Sequence, residues 1–323
     1  MFDGERLPVL QVLAAQAAIS LQNALLYEQV RGLADSFARF VPREFLRSLG
    51  HSQPADIRFG ESVQKEMTVL FADIRRFTTL VEQMSPTENI AFINAYIGYM
   101  EPAVLAHGGF IDSYVGDAIM ALFDGSATSA VEAAVAMFRA LEAFNAERVA
   151  LGAVAVDIGI GVSTGQLTLG TIGGAERLKC GVIGDAVNVA ARIESLTKRY
   201  RVRLLISGHA HARLGPALRR ATRLVDRVRV AGHGEPVDLF EVFAADPPLV
   251  REQKRNSLDR WENALQHYFT GRFAEALAVL TELRASSTLE EDGVLAMYLS
   301  RARLHLTSPP GPDWDGIETI SEK

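Results

Sequence analysis

Two aspartates of this chain stand where a pair of carboxylates could hold metal ions. Asp73 lies at the end of an apolar run, and Asp117 follows a glycine at the end of another. Two carboxylates about 4 Å apart repel each other by roughly 4 kcal/mol at an effective dielectric constant near 20. A close pair therefore implies a divalent cation, and a pair that faces a substrate phosphate suits metal-assisted phosphoryl chemistry.

The segments that carry the aspartates have clear signatures. Residues 67–74 are almost continuously apolar, which predicts a buried central strand that ends at Asp73. Ser85 and Glu88 then form a capping-box pattern, which predicts a helix running to about Ala106. The remaining pattern predicts a hairpin over 110–123 with its tip at Gly116 and Asp117, helices over 127–149 and 185–200, and strands over 154–164, 178–183 and 203–206.

This element order, β-α-β-β-α-β-β-α-β, indicates an α+β fold with a ferredoxin-like βαββαβ core and extra strands. In such a core the end of the first strand lies beside the tip of the central hairpin. The order therefore predicts that Asp73 and Asp117 meet.

The flanking segments are predicted to be helical. Residues 1–40 contain a long helix from about residue 8, with an apolar stripe that either packs on its own domain or pairs in parallel with a second copy as a coiled coil. Residues 41–61 form a linker that contains proline and glycine. Residues 250–323 resemble a tetratricopeptide helix pair with a third helix, which either caps the preceding domain or binds a partner.

Composition narrows the function classes. The net charge of −6 argues against non-specific binding to nucleic acid or to an anionic membrane. The single cysteine, Cys180, fits a reducing compartment. Polar residues interrupt the apolar stretch 9–26, and Asp3 and Glu5 precede Arg6, so neither a membrane span nor a signal peptide is expected. We therefore expect a cytoplasmic protein.

Residues 62–246 resemble the catalytic domain of class III nucleotidyl cyclases, the adenylate and guanylate cyclase family. The segments that carry the resemblance are Leu70–Thr78, His107–Phe123, Ile158–Gly170 and Val182–Arg192. Residues 7–30 also resemble the last helix of a GAF sensor domain, so a sensor domain or a protein partner is expected to act through the terminal helices.

The resemblance implies a two-metal mechanism. Asp73 and Asp117, with the backbone carbonyl of Ile74, would hold two Mg²⁺ or Mn²⁺ ions in each site. One ion would lower the pKa of the ribose 3′-hydroxyl that attacks the α-phosphate, and the other would clamp the triphosphate as pyrophosphate leaves. The loop 74–78 enters a helix, so its N–H groups could bind phosphates.

Asn188 and Arg192 are four residues apart and share one helix face. The resemblance assigns them to catalysis: they would orient the ribose and stabilise charge on the α-phosphate. In this family the two metal-binding aspartates come from one subunit and the Asn/Arg pair from the other. Because this chain carries both sets, a homodimer is expected. The residues that the resemblance assigns to substrate binding are Phe77, Thr78, Ser113, Gly181 and Asp185.

Three positions depart from the family pattern. Adenylate cyclases usually have lysine at Ser113 and Asp or Thr at Gly181, whereas guanylate cyclases usually have Glu and Cys there. With neither pattern present, we expect weak selection of the base. The family's triphosphate-binding lysine is replaced by Ala231, and the cations that could substitute are Arg75, Arg76, Arg177, Lys179 and His233.

The function expected from these features is conversion of ATP to 3′,5′-cyclic AMP and pyrophosphate. A guanylate cyclase or a cyclase of relaxed specificity is the first alternative. A nucleotide-binding regulatory protein with little turnover is the second, because of the three departures.

Overall fold

A computed structural model describes residues 6–37, 42–53, 56–174, 178–230, 235–286, 292–311 and 314–320. The strands are β1 (Ser62–Ile74), β2 (Gly109–Val115), β3 (Ala118–Asp124), β4 (Ile158–Gly173), β5 (Leu178–Ile183), β6 (Leu204–Ser207), β7 (Thr222–Val230), β8 (Val237–Val242) and β9 (Glu318–Ile320). The helices are α1 (Arg6–Phe37), α2 (Arg43–Ser48), α3 (Phe77–Val81), α4 (Pro86–Ala106), α5 (Ala127–Ala150), α6 (Asp185–Tyr200), α7 (Gly208–Ala212), α8 (Pro216–Arg219), α9 (Pro248–Asn256), α10 (Leu258–Phe269), α11 (Phe273–Ser286) and α12 (Gly293–Thr307).

The chain divides into two compact units, residues 1–63 with 169–181, and residues 64–168 with 182–323. In the first unit, the segment predicted as a linker contains α2, whose Phe45 and Leu46 are buried. Its end is bound to β4, because Thr171 donates its backbone N–H to the Glu61 carbonyl at 3.0 Å. His51 pairs with the Glu61 carboxylate at 2.8 Å and holds the pKa of that carboxyl below its usual value.

Helix α1 belongs to the first unit and exposes every side chain from residue 8 to residue 34. In this single chain the apolar stripe is therefore uncovered, and its pairing with a second copy stays a prediction. Residues 8–34 are also long and apolar enough to cross a membrane, by length and composition alone. The polar residues in this segment argue against a membrane span in the sequence, but they do not make it too polar for that criterion.

The second unit contains the core of the sheet. The strand order is β2-β3-β1-β4-β6-β8-β7-β9, and β5 pairs with β4. Strand β3 pairs antiparallel with both β1 and β2, and so lies between them although α4 joins them in sequence. This is the split arrangement of a ferredoxin-like core, and the predicted α+β fold is confirmed.

Both faces of the sheet are covered, as strand β6 illustrates. Leu204 and Ile206 belong to the buried cluster formed with α4 and α5, whereas Leu205 belongs to a second cluster with α6 and the C-terminal helices. Neighbouring residues of a strand point to opposite faces, so this alternation places the two sets of helices on opposite sides. Helix α6 thus shares its side of the sheet with α10, α11 and α12.

The C-terminal helices are attached to the sheet by buried charges. Arg223 on β7 donates to Asp292 at 2.6 Å and 2.9 Å, and to Glu241 on β8 at 2.6 Å. Lys254 on α9 pairs with Glu241 and with Asp246, each at 2.6 Å. Strand β9 extends the sheet by pairing parallel with β7. Within the second unit, the C-terminal segment therefore forms part of the same core as the sheet.

Candidate active site

The topology brings Asp73 and Asp117 together. Strand β1 pairs with β3 so that Ala72 lies opposite Ile119. Asp73 therefore ends its strand beside the β2–β3 turn, where Gly116 has a φ of +67° and Asp117 follows it. A left-handed residue at this position favours glycine. The turn thus sets the Asp117 carboxyl against the end of β1.

The two carboxyl groups interact electrostatically. Burial, a hydrogen bond with Asp73 and the Asp73 charge together raise the pKa of Asp117 from 3.8 to about 7. The Ile74 N–H donates to Asp117 Oδ2 at 3.2 Å, which orients the carboxyl and partly offsets this effect. Like charges held this close are stabilised by a cation between them.

The donor set suits a hard divalent cation. Among the described residues, no group of three or more His, Cys, Asp or Glu side chains could hold a metal ion. Asp73, Asp117 and the Ile74 carbonyl offer oxygen atoms alone, and Mg²⁺ is often held by one or two carboxylates together with substrate phosphates. The residues present therefore fit ions that a triphosphate helps to bind.

The sequence analysis missed Lys198, which lies at this site. Its Nζ is 3.4 Å from Asp73 Oδ2, and its side chain is half exposed. Lys198 lies on α6 four residues after Glu194, so the two share a helix face. Two opposite charges at this spacing, shortly after the motif that ends at Arg192, are the signal that could have found it.

A group of buried polar atoms lies beside the aspartates. Within the described part of the chain, Tyr96 Oη, Glu194 Oε1 and Thr197 Oγ1 are buried without a hydrogen-bond partner. Burial, followed by the Asp73 charge, raises the pKa of Glu194 to about 7. A Cβ on Gly159 would lie 2.3 Å from Thr197 Oγ1 and 2.8 Å from Glu194 Oε1, so only glycine leaves room for both groups.

The predicted phosphate loop has a specific backbone conformation. Arg76 has a φ of +58° and precedes α3. This left-handed conformation is uncommon for a residue other than glycine and strains its backbone. Helix α3 is only five residues long. The Phe77 ring stacks on Phe92 at 6.3 Å between ring centres, and Thr78 is exposed.

The cations proposed to replace the phosphate lysine differ in availability. Arg75 is committed elsewhere: its Nε lies 3.0 Å from Asp157 Oδ2, and its Nη2 donates to the Val202 carbonyl at 2.7 Å. Arg76 and Lys179 are exposed. Arg177, Ala231 and His233 lie outside the described residues.

Helix α6 carries the predicted catalytic pair. Asn188 is exposed and Arg192 is half-buried, and neither side chain has a hydrogen bond or ion pair among the described residues. Asp185, in the first turn, is exposed. At 1.5 Å per residue, Asn188 lies about 15 Å along the helix from Lys198. Since Lys198 contacts Asp73, one chain holds Asn188 well away from its own aspartates.

Close packing fixes α6 against β4. A Cβ on Gly161 would lie 2.2 Å from the Glu194 backbone nitrogen and 2.5 Å from the Ala190 carbonyl oxygen. A Cβ on Gly184, just before the helix, would lie 2.8 Å from the Gln166 carbonyl oxygen. These glycines allow the helix to touch the backbone of its neighbours.

The two positions predicted to select the base, Ser113 and Gly181, are both small and half-buried. Ser113 lies on β2 directly after a bulge in the β2–β3 pairing, and bulges of this kind redirect side chains. Gly181 lies on β5, where a Cβ would be 3.2 Å from Ile172 Cδ1. That neighbour is the end of a flexible side chain, so a larger residue could be accommodated at Gly181.

The fold and the arrangement of these residues define a nucleotide-cyclase type of domain. Residues 61–240 match the family described as the adenylate and guanylate cyclase catalytic domain, and the chain belongs to that family. The resemblance found in residues 62–246 is thereby confirmed. The resemblances of the terminal helices to a GAF helix and to a tetratricopeptide pair stay predictions.

Named relatives include both kinds of cyclase. The chain is 41% identical over 224 residues to an adenylate cyclase from Anabaena cylindrica, which covers 68% of this chain and 45% of that protein. It is 34% identical over 257 residues to a terminal-differentiation-specific adenylate cyclase from Dictyostelium discoideum, which covers 78% of this chain and 12% of that protein. The crystal structure of the guanylyl cyclase Cya2 is similar with a TM-score of 0.51 and 32% identity, over 58% of this chain and 96% of that one. The chain thus spans less than half the length of the two curated relatives.

Proposed function

We propose that the chain is a nucleotide cyclase that converts ATP to 3′,5′-cyclic AMP and pyrophosphate in a site shared by two copies. The ribose 3′-oxygen would form a bond to the α-phosphorus, the bond from that phosphorus to the bridging oxygen would break, and the hydroxyl proton would pass to solvent. The observation that carries the proposal is the meeting of Asp73 and Asp117 at the end of β1.

Asp73, Asp117 and the Ile74 carbonyl are the groups that would hold two Mg²⁺ or Mn²⁺ ions. When bound, such ions supply positive charge to the triphosphate and lower the pKa of the attacking hydroxyl. The Ile74 N–H keeps the Asp117 carboxyl in place for this purpose. Lys198 balances part of the charge of Asp73.

A homodimer is supported by the position of the catalytic pair. Asn188 lies about 15 Å along α6 from the residue that contacts Asp73, so Asn188 and the aspartates of one chain do not share a site. The pair instead lies on the accessible side of α6, available to a second copy. There Asn188 would orient the ribose, and Arg192 would stabilise charge that develops on the α-phosphate. Two equivalent sites would result.

ATP is proposed as the main substrate, with weak selection against GTP. The adenylate cyclase of Anabaena cylindrica and the guanylyl cyclase Cya2 are both similar to this chain, at 41% and 32% identity. Ser113 has one hydroxyl that can donate or accept, and Gly181 has no side chain. Strong discrimination requires fixed polar groups that the wrong base leaves unpaired. A relaxed specificity is therefore the second candidate.

We also propose a cytoplasmic location, with α1 as the contact to a second copy or to a sensor domain. The exposed apolar side chains of α1 support such a contact. Those that are more than half exposed include Val9, Val12, Leu13, Ile19, Leu21, Leu25, Leu26, Val30 and Leu33.

The test is to incubate the purified full chain with Mn²⁺ and each of ATP, GTP, CTP and UTP, and to identify products by mass spectrometry. We expect cyclic AMP from ATP in the largest amount, and cyclic GMP from GTP in a smaller amount. Asp73→Asn serves as the control: it should give no product, while its unfolding temperature without metal is no lower than that of the wild type. Absence of a cyclic product from all four nucleotides would overturn the proposal.

A further inference from the structure

Helix α6 has three distinct faces. Asn188 and Arg192 lie on an exposed or half-exposed face. Glu194 and Lys198 lie on a second face, next to Asp73. A third face is apolar and buried, and it consists of Val189, Ile193, Leu196 and Tyr200. With 100° between successive residues, these faces follow from the helix period alone. The third face has no role in the proposed chemistry.

This third face packs on strand β6 of the sheet and also meets the C-terminal helices. Its four side chains belong to the same buried cluster as Trp261 of α10, Leu280 of α11 and Tyr298 of α12. Helix α12 begins directly against the end of α6: a Cβ on Gly293 would lie 2.7 Å from the Tyr200 carbonyl oxygen. Only glycine permits this approach without a shift of one helix. The end of α6 is thus bounded by the C-terminal segment.

A buried carboxylate, that of Asp226, links the end of α6 to α12. Asp226 on β7 is completely buried. Its Oδ2 accepts a hydrogen bond from Tyr200 Oη, at the last residue of α6, and from Arg301 Nη1 of α12, both at 2.8 Å. Its Oδ1 accepts from the Arg227 N–H at 2.9 Å and from Tyr298 Oη at 3.4 Å. A buried charge is tolerated only when paired in this way.

We propose that Asp226 is a positioning residue for catalysis: through Tyr200, Tyr298 and Arg301 it fixes α6 on the C-terminal helices, and so sets where Asn188 and Arg192 lie. The inference rests on the proposed function of that pair. A well-formed helix moves as a unit, so a shift at Tyr200 is carried to the other end of α6. Misplacement of a catalytic group by about 1 Å can cost up to a hundredfold in rate.

The test compares Asp226→Asn with a matched control in the full chain. The control is Asp246→Asn, which alters another buried carboxylate, one that binds Lys254 on α9 rather than α6. For Asp226→Asn we expect kcat to fall roughly tenfold or more, with the KM for Mn·ATP changed by less than about twofold. Hydrogen exchange of the last turn of α6 should become faster. The control should leave kcat and this exchange unchanged.

A second variant separates positioning from folding. Tyr200→Phe keeps the ring in the buried cluster and removes one hydroxyl, so it should retain the fold, accelerate exchange at the end of α6, and lower kcat less than Asp226→Asn does. The proposal is overturned if Tyr200→Phe and Asp226→Asn leave both kcat and α6 exchange unchanged. It is also overturned if Asp246→Asn lowers kcat as much, because a general loss of stability then explains the effect. If the wild type makes no cyclic nucleotide, the proposed function fails, and the exchange measurement still decides whether Asp226 holds α6.

Discussion

Asp117→Asn should stabilise the metal-free protein at pH 8. The pKa of the Asp117 carboxyl is raised from 3.8 to about 7, so the ionised form is disfavoured in the folded chain. A shift of about three pKa units corresponds to roughly 4 kcal/mol, and solvent screening at this half-buried position reduces the effect to about 1–2 kcal/mol. Asparagine keeps the shape of the side chain and removes the charge that faces Asp73.

The pH dependence follows from the same shift. A carboxyl that ionises less readily when folded stabilises the fold fully below pH 3.8, and this contribution is lost as the pH rises to about 7. With a chelator present, Asp117→Asn should therefore unfold roughly 1.5–3 °C above the wild type at pH 8. At pH 4.5 the two proteins should unfold at similar temperatures, because the wild-type carboxyl is then protonated.

Thermal unfolding at both pH values measures this effect, and Mn²⁺ provides a second comparison. Mn²⁺ should raise the unfolding temperature of the wild type at pH 8, since ligands that bind the folded state stabilise it, and should raise that of the variant much less. Asp124→Asn is the control, because Asp124 is an exposed carboxylate at the far end of β3 paired with Lys65. Equal unfolding temperatures for wild type and Asp117→Asn at pH 8 without metal would refute the reasoning.

Three further variants test the packing, the base selection and the buried charges. Gly161→Ala should abolish activity and lower the unfolding temperature in calorimetry, because its methyl group would meet the backbone of α6; normal activity would show that α6 can shift freely. Ser113→Lys combined with Gly181→Thr should raise the ratio of kcat/KM for ATP to that for GTP roughly tenfold or more, and an unchanged ratio would show that the base is selected elsewhere. Arg223→Met should cost about 3–5 kcal/mol in denaturant unfolding, because Asp292 loses its charged partner and Glu241 keeps only Lys254. Arg260→Gln, at an exposed ion pair, is its control and should cost less than about 1 kcal/mol.

Much of the ferredoxin-like core could be predicted from local sequence. Ser85 accepts from the Glu88 N–H at 3.3 Å, and Glu88 accepts from the Ser85 N–H at 2.8 Å, so the capping box lies where the sequence indicates. Helix α6 has the predicted bounds, Asp185–Tyr200. These features depend on residues a few positions apart, which is why a sequence pattern is sufficient to find them.

The edge of the sheet formed by β8, β7 and β9 was not predicted, because the residues that stabilise it are distant in sequence. Strand β7 contains Arg223, Asp226, Arg227 and Arg229, and charges at this density conceal a strand pattern. Two of these charges are neutralised by Asp292 and Arg301, about 70 residues further along. A strand was predicted over 154–164, whereas the observed strand β4 begins at Ile158 and continues to Gly173. The additional residues of β4 pair with β5. The alternation of apolar residues does not indicate how far such a hairpin extends.

The residues of the candidate site that belong to a sequence motif could be predicted. Those that only the topology brings to the site could not. Asp73 and Asp117 were found from their strand ends, and the structure brings them together. Lys198 and Glu194 reach the same place from a helix more than 100 residues away in sequence, just beyond the motif that ends at Arg192. Only the packing of α6 on the sheet determines that they face the aspartates.

Complementation between two inactive chains tests the central claim most directly. Asp73→Asn removes a metal-binding carboxylate and Arg192→Ala removes the catalytic cation, so each chain alone should make no cyclic nucleotide. Co-expressed with distinct tags and purified as mixed dimers, they should form one complete site in each dimer and recover about half of the wild-type activity. A mixed dimer as inactive as either parent, beside an active wild type, would contradict a site that takes its aspartates from one chain and Asn188 with Arg192 from the other.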